Sequence, residues 1–232
     1  MKLAVIPARG GSKRIPRKNI KEFCGRPMIA WAIEAVRQTA CFDLIIVSTD
    51  DEEIAEISRE WGAQAPFIRP AELSDDHTGT VPVVAHAIDW CLKHSVEKPE
   101  EVCCVYATAP FVRPRDLRHG LEVLLRHGCD YAFSVTSFPF PIQRAIRIKK
   151  DGRVEMFQPE HFNTRSQDLE EAYHDAGQFY WGRAQAWRDG RPIFNSDAVP
   201  VFLPRYRVQD IDTIEDWLRA ELMFTALRQL EE

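Results

Sequence analysis

Between Pro7 and Asn19 the chain reads PARGGSKRIPRKN, directly after the short apolar run Leu3 to Ile6. Gly10 and Gly11 let the backbone take up φ > 0 and approach a ligand closely, so that consecutive amide N–H groups can converge on an anion. Arg9, Lys13, Arg14, Arg17 and Lys18 supply counter-charge, and a loop of this composition after a buried strand suits a polyphosphate. Neither GxxxxGK[ST] nor GxGxxG occurs, so the mechanisms of those nucleotide loops do not transfer. On composition alone the same residues could form a solvated basic loop after an edge strand.

A second constellation stands near the C-terminus, Val208-Gln209-Asp210-Ile211-Asp212-Thr213-Ile214-Glu215-Asp216. In an extended segment residues two apart point the same way, so Asp210 and Asp212 can present carboxylates to one ion. Hard oxygen ligands of this kind suit Mg²⁺ with substrate phosphate completing its shell. Asp212 with Glu215 also has the spacing of a helix N-cap and its capping box, a structural use that Asp210 does not share. A cationic glycine-rich loop and an acidic pair together suit nucleotidyl transfer. The cations neutralise triphosphate charge, and Mg²⁺ activates the α-phosphate and stabilises the departing pyrophosphate.

The elements that must hold these groups alternate. Pro27 to Thr39 has apolar residues at helical spacing, Leu44 to Val47 is a buried-strand run, and Asp51 to Trp61 reads as a helix with an acidic start closed by Gly62. A short strand is predicted at Ala65 to Ile68, followed by the polar loop SDDHTGT and a helix over Thr80 to Lys93. Then come a strand at Val102 to Tyr106, a helix at Pro114 to Arg126 and a strand at Tyr131 to Val135. This rhythm predicts a doubly wound, mostly parallel α/β sheet of Rossmann-like type, with ligands outside the carboxyl ends of the strands. The cationic loop, Asp50 and Ala107-Thr108-Ala109-Pro110 lie at such ends.

The rhythm breaks over residues 137–176, where Pro139, Pro141, Pro159 and a hairpin turn at Lys150-Asp151-Gly152 suggest an excursion from the sheet. It is either a long surface lobe or a hairpin by which two subunits clasp. Residues 1–136 are thus expected as the nucleotide-binding core, 137–176 as the lobe, and 177–232 as a return to the core. That return carries a strand at Gly177 to Gly182, a helix near Ala184, a strand around Val199 to Leu203, and the final helix from Thr213.

At 232 residues and 45% hydrophobic composition, the chain can bury a full core. Its net charge of −5 hides an asymmetry, because residues 1–26 carry eight Lys/Arg against one Glu. One basic loop in an acidic protein points to a small anionic ligand and away from nucleic acid. No apolar run reaches membrane-spanning length, and the N-terminal run stops at Pro7, too short for a signal-peptide core, so a cytoplasmic chain is expected. Six cysteines show no CxxC spacing and are read as free thiols. The histidines show no metal-ligand pattern.

With both sites in view, the chain resembles the cytidylyltransferases that activate nonulosonic, sialic-acid-like sugars. The resemblance rests on IPARGGSKRIPRKN, FDLIIVSTDDEEIAE, RPAELSDD, Thr108-Ala109-Pro110 and DIDTIED, which span nearly the whole chain. It implies a reaction of CTP with the sugar to give CMP-sugar and pyrophosphate, Mg²⁺ as cofactor, and a homodimer whose lobe reaches over the partner's site. It places Arg9, Lys13, Lys18, Asn19 and the Gly10-Gly11-Ser12 backbone on the CTP phosphates and ribose, and Thr78 and Thr80 at the base. Asp210 and Asp212 become the Mg²⁺ ligands, one of them helping to deprotonate the anomeric hydroxyl. Arg165 matches a position that reaches the neighbouring subunit's sugar.

Sialic-acid members carry Gln-Pro-Thr-Ser-Pro at the fourth strand end, where this chain has Tyr106-Ala107-Thr108-Ala109-Pro110. Together with TRSQDLEEAYHDAGQFYWG at Thr164 to Gly182, the difference resembles the branch that acts on pseudaminic acid. His174, Asp175, Gln178 and Tyr180 are then candidates for contacting a 5,7-diamino sugar, with packing as the alternative for about half of them. Tyr106 would fit the more apolar 9-deoxy end. The alternatives within the family are N-acetylneuraminic, legionaminic or 3-deoxy-octulosonic acid, and outside catalysis a nucleotide-binding scaffold.

Overall fold

The computed structural model describes residues 1–230. Leu3 to Ile6 are fully buried in β1 (Lys2–Pro7), as a strand covered on both faces requires. After the cationic loop, β2 (Glu22–Phe23) and β3 (Arg26–Pro27) form a short antiparallel hairpin. Pro27 opens α1 (Met28–Thr39), which buries Ile29, Ala32, Ile33 and Val36 and ends where Ala40 turns left-handed. Next come β4 (Leu44–Ser48) and α2 (Glu52–Glu60), the helix capped by Asp51 accepting from the Ile54 N–H at 3.1 Å. The alternation continues through α3 (Thr80–His94), β5 (Glu101–Val105), α4 (Pro114–His127) and β6 (Tyr131–Ser137). The hairpin of β7 (Ile146–Ile148) and β8 (Val154–Met156) precedes β9 (Tyr173–Arg183), α5 (Ala184–Arg188), β10 (Ala198–Phe202) and α6 (Ile214–Gln229).

Six strands form one sheet in the order β10-β6-β9-β5-β1-β4, with β9 antiparallel between β5 and β6 and every other pairing parallel. On one face α1, α2 and α4 pack through Ile29, Ile33, Ile54, Leu117 and Leu124; on the other α3 and α5 pack through Val84, Ile88 and Trp187. The doubly wound, mostly parallel α/β architecture is therefore as the sequence rhythm predicts. A third cluster of Ile15, Phe23, Met28, Phe111, Trp217 and Phe224 clamps the cationic loop to α6. Burying a side chain of this size contributes roughly 1.5–3 kcal/mol, so these contacts hold the two distant charged segments together.

Two expectations about elements are corrected. Ala65 to Ile68 is not a strand: only isolated bridges, Ile46 to Gln64 and Thr49 to Ile68, link this segment to the sheet edge, and Pro66 between them cannot donate to a ladder. The boundary at residue 176 falls inside β9, because Tyr173 to Asp175 already pair with Ser137 to Val135 of β6. Phe140, Ile148, Val154, Phe157 and Phe162 of the excursion are exposed. Cys103 and Cys104 are buried in β5, and all six cysteines are free. Among the described residues no helix is long and apolar enough to cross a membrane.

Candidate active site

The loop after β1 folds over the carboxyl end of the sheet. The Gly10 N–H donates to Asp50 Oδ1 at 2.9 Å, just past β4, and Asn19 Nδ2 closes the loop by donating to the Arg9 carbonyl at 2.8 Å. Neither Gly10 nor Gly11 uses the left-handed region expected of them; Arg17 does, with φ 57°. Arg17 is also withdrawn from the expected counter-charge, because its guanidinium is paired with Asp51 and Glu53. That pairing holds the Asp51 carboxyl below the usual carboxylate range. Within the stretch at residues 10–12 the Ser12 N–H is bonded to the Gly10 carbonyl at 3.0 Å.

A cleft of ≈ 620 Å³ opens beside the loop. Its lining includes Arg9, Ser12, Lys13, Arg14, Lys18 and Asn19 of the loop, together with Arg69, Asp75, Asp76, Thr78, Thr80, Tyr106 to Thr108 and Asp212. Asp76 receives both Arg9, at 2.7 Å, and Lys13. These donors, Lys13 first, keep its carboxyl below the ordinary range. Asp75 is lowered chiefly by the Thr78 hydroxyl. Arg69 is buried, donating to the Ser48 carbonyl and to Ser74 Oγ, each at 3.1 Å, and burial lowers its pKa.

Asp212 faces this first cleft and pairs with Arg14 at 2.9 Å and Lys18 at 3.3 Å. It is not the helix cap. Thr213 caps α6, with Asp216 completing the capping box in place of Glu215. Asp210 lines a second, larger cleft of ≈ 1300 Å³, where desolvation, and then the neighbouring Asp212 carboxylate, raises its pKa. The acidic pair therefore straddles the junction of two clefts.

Tyr106 lines both clefts and forms part of the wall between them. His174, Asp175, Thr136, Arg205 and Arg219 line the second. His174 Nδ1 lies 2.8 Å from the Asp175 carbonyl, and its ring meets Phe138 edge-on. Asp175 Oδ1 accepts from the Gly177 N–H at 2.9 Å, and Oδ2 from the Tyr180 hydroxyl at 2.5 Å. Gln178 and Tyr180 line neither cleft. Both are buried behind the wall, Gln178 donating to the Arg207 carbonyl at 2.5 Å and Tyr180 stacked near Phe133. Burial raises the pKa values of Tyr106 and Tyr180. Arg165 lies apart from both clefts, exposed on the lobe and paired with Asp168 at 2.7 Å.

Arg69, Asp76, Arg205 and Arg219 carry no role in the sequence reading. RPAELSDD contains the first two and supports the resemblance, but single charged residues have no period that assigns them to a cleft. Arg207 is buried against Asp116 through a two-pronged pair that anchors the turn before Asp210.

Asp210 and Asp212 fit a Mg²⁺ ion on their chemistry: two hard carboxylates are held together closely enough for one to raise the other's pKa, which a divalent cation would relieve. Among the described residues no group of three or more His, Cys, Asp or Glu side chains could hold a metal, so phosphate oxygens would have to complete the shell.

The chain matches the family model described as Cytidylyltransferase over residues 3–205. It is 44% identical to the pseudaminic acid cytidylyltransferase of Campylobacter jejuni subsp. jejuni serotype O:2 over 96% of this chain and 95% of that one. It is 32% identical to the CMP-N,N'-diacetyllegionaminic acid synthase of Legionella pneumophila over 94% of each. The solved structure of CMP:2-keto-3-deoxy-manno-octonic acid synthetase complexed with CTP superposes with a TM-score of 0.72 at 16% identity, covering 97% of this chain and 98% of that one, a likeness of fold.

Proposed function

Because the chain belongs to the cytidylyltransferase family, we propose that it transfers the cytidylyl group of CTP to the anomeric hydroxyl of pseudaminic acid, giving CMP-pseudaminic acid and pyrophosphate. The observation that carries this reading is the straddling acidic pair: Asp212 faces the cationic cleft and Asp210 the larger one. CTP then occupies the first cleft and the sugar the second. The reacting oxygen and the α-phosphorus meet where the two carboxylates lie.

Arg9 and Lys13 exchange Asp76 for phosphate oxygens, and Lys18 and Arg14 hold charge beside Asp212. When bound by Asp210 and Asp212, Mg²⁺ supplies Lewis acidity at the phosphates. A bond forms between the anomeric oxygen and the α-phosphorus as the bond to pyrophosphate breaks, and Asp210, on the sugar side, accepts the hydroxyl proton.

The sugar assignment is supported by the identity to the C. jejuni relative and by Tyr106 in place of a glutamine. The exposed apolar groups of the lobe support a homodimer in which Arg165 reaches the partner's sugar cleft. Pyrophosphate release from CTP and Mg²⁺, with pseudaminic, N-acetylneuraminic and legionaminic acids offered separately, tests the reading. Release with pseudaminic acid alone is expected. Release with another sugar moves the specificity, and none with any sugar rejects the enzymatic reading.

A further inference from the structure

The segment that carries Asp210 and Asp212 is held at its two ends by different anchors. Downstream, the Asp212 N–H donates to Asp216 Oδ2 at 3.1 Å, and Lys18 Nζ donates to the Ile211 carbonyl at 2.6 Å. Upstream, the chain is pinned at Arg207, three residues before Asp210. The Arg207 N–H donates to the Pro204 carbonyl at 2.9 Å, and its guanidinium meets Asp116, in the first turn of α4, through both oxygens. The Arg207 carbonyl accepts from Gln178 Nε2 at 2.5 Å.

Gln178 is itself fixed on both sides. Its N–H donates to Ser134 Oγ of β6 at 3.3 Å, and its carbonyl accepts from the N–H of Tyr106, just past β5, at 2.9 Å. The side chain, 3% exposed, therefore issues from a rigid part of the sheet. A donor aimed at a main-chain carbonyl favours one orientation of the peptide plane that carries it. That peptide joins Arg207 to Val208, where the short turn Arg205–Arg207 gives way to extended chain, with Val208 at φ −123° and ψ 118°. Its orientation sets the direction in which the chain runs on to Asp210. The paired guanidinium, 2% exposed with its residue, keeps the turn from rotating. Gln178, Arg207 and Asp116 line neither of the two clefts that meet at the acidic pair.

We propose that Gln178, with the Arg207–Asp116 pair behind it, is a positioning residue that holds Asp210 at the junction of the clefts. The inference rests on the reading that Asp210 takes part in the transfer. Asp212 has its own anchor downstream, so loss of Gln178 displaces one carboxylate and leaves the other.

Gln178→Met tests this, because it keeps the length of the buried side chain and removes the donor. Turnover is measured per folded enzyme, and CTP affinity by calorimetry with Mg²⁺ and no sugar, in the wild type, Gln178→Met, Asp210→Ala and the double variant. Gln178→Met is expected to lower kcat by about ten- to a hundred-fold, the scale of a reacting group misplaced by about 1 Å, with CTP affinity within about two-fold of wild type. A general weakening of the fold would lower turnover equally in every background, whereas a loss that acts through Asp210 vanishes once Asp210 is gone. In the Asp210→Ala background Gln178→Met therefore changes the residual kcat by no more than about two-fold. Wild-type kcat in Gln178→Met, an undiminished loss in the Asp210→Ala background, or a fall in CTP affinity as large as the fall in kcat overturns the proposal. If Gln178→Met does not fold, Gln178→Asn, whose amide is one methylene too short to reach Arg207, is judged by the same comparisons. Wild-type turnover in Asp210→Ala alone removes the reading of Asp210 itself, an outcome distinct from the others.

Discussion

A Cβ on Gly10 would lie 2.5 Å from Asp51 Oδ2, closer than side chains approach one another. The glycine is required by this approach and not by its backbone angles. Asp51 cannot swing aside cheaply, because it caps α2 and pairs with Arg17. Gly10→Ala is therefore expected to cost about 1–3 kcal/mol, seen as a thermal midpoint lowered by several degrees. Gly11, whose added Cβ meets nothing within 4 Å, should tolerate alanine with little change in stability. Equal midpoints for the two variants would show that the Asp51 contact is not restrictive.

Asp76 holds Arg9 and Lys13, the two cations proposed to meet the CTP phosphates. Its removal in Asp76→Asn should tighten CTP binding by about two- to five-fold, the scale of exposed ion pairs. The gain should shrink as salt is raised. Weaker binding in this variant would mean that Asp76 helps to hold the nucleotide or its metal.

The two carboxylates at the junction should separate kinetically. Asp210→Ala is expected to lower kcat by about 10²- to 10⁴-fold with CTP affinity nearly unchanged, because this side chain lines the larger cleft, the one proposed for the sugar. Asp212→Ala should weaken CTP as well, since it lines the cleft proposed for the nucleotide, beside Arg14 and Lys18. Wild-type turnover in Asp210→Ala would remove it from the mechanism.

Arg17 lowers the pKa of Asp51 in the folded chain, so this pair stabilises the fold above the unfolded carboxylate value of ~3.9 and loses that contribution as pH falls through the lower folded value. Asp51→Asn keeps a capping side chain but loses the charge. At pH 7 it should be less stable than the wild type by about 1 kcal/mol, and the gap should narrow as pH falls through the lowered folded value of Asp51. Thermal unfolding across that range checks it; a gap independent of pH would assign the loss to the cap alone.

The doubly wound core was legible because its signals are local. Ile29, Ala32, Ile33 and Val36 repeat at the helical period over a few residues, and Leu3 to Ile6 form one uninterrupted buried run. The Ala65 to Ile68 segment misled because its apolar residues resemble a strand while Pro66 denies it a ladder. Asp212 misled in the opposite direction: Glu215 three residues on imitates a capping box, but Thr213 with Asp216 has the same spacing shifted by one and forms it.

The sequence by itself determined the alternation of the main strands and helices, the cationic loop, and an acidic pair before the last helix. These follow from residue period and from chemistry confined to neighbouring positions. Only the tertiary structure decided that Arg17 is spent on Asp51 and Glu53, that Asp76 holds Arg9 and Lys13, and that Tyr180 stands behind the wall while Asp175 lines a cleft. Lys18 reaches the Ile211 carbonyl at 2.6 Å across 193 positions of sequence. Such partners are chosen by the packing of Ile15, Phe23 and Trp217 into one cluster, and no local pattern of charges specifies which of several carboxylates a given cation will meet.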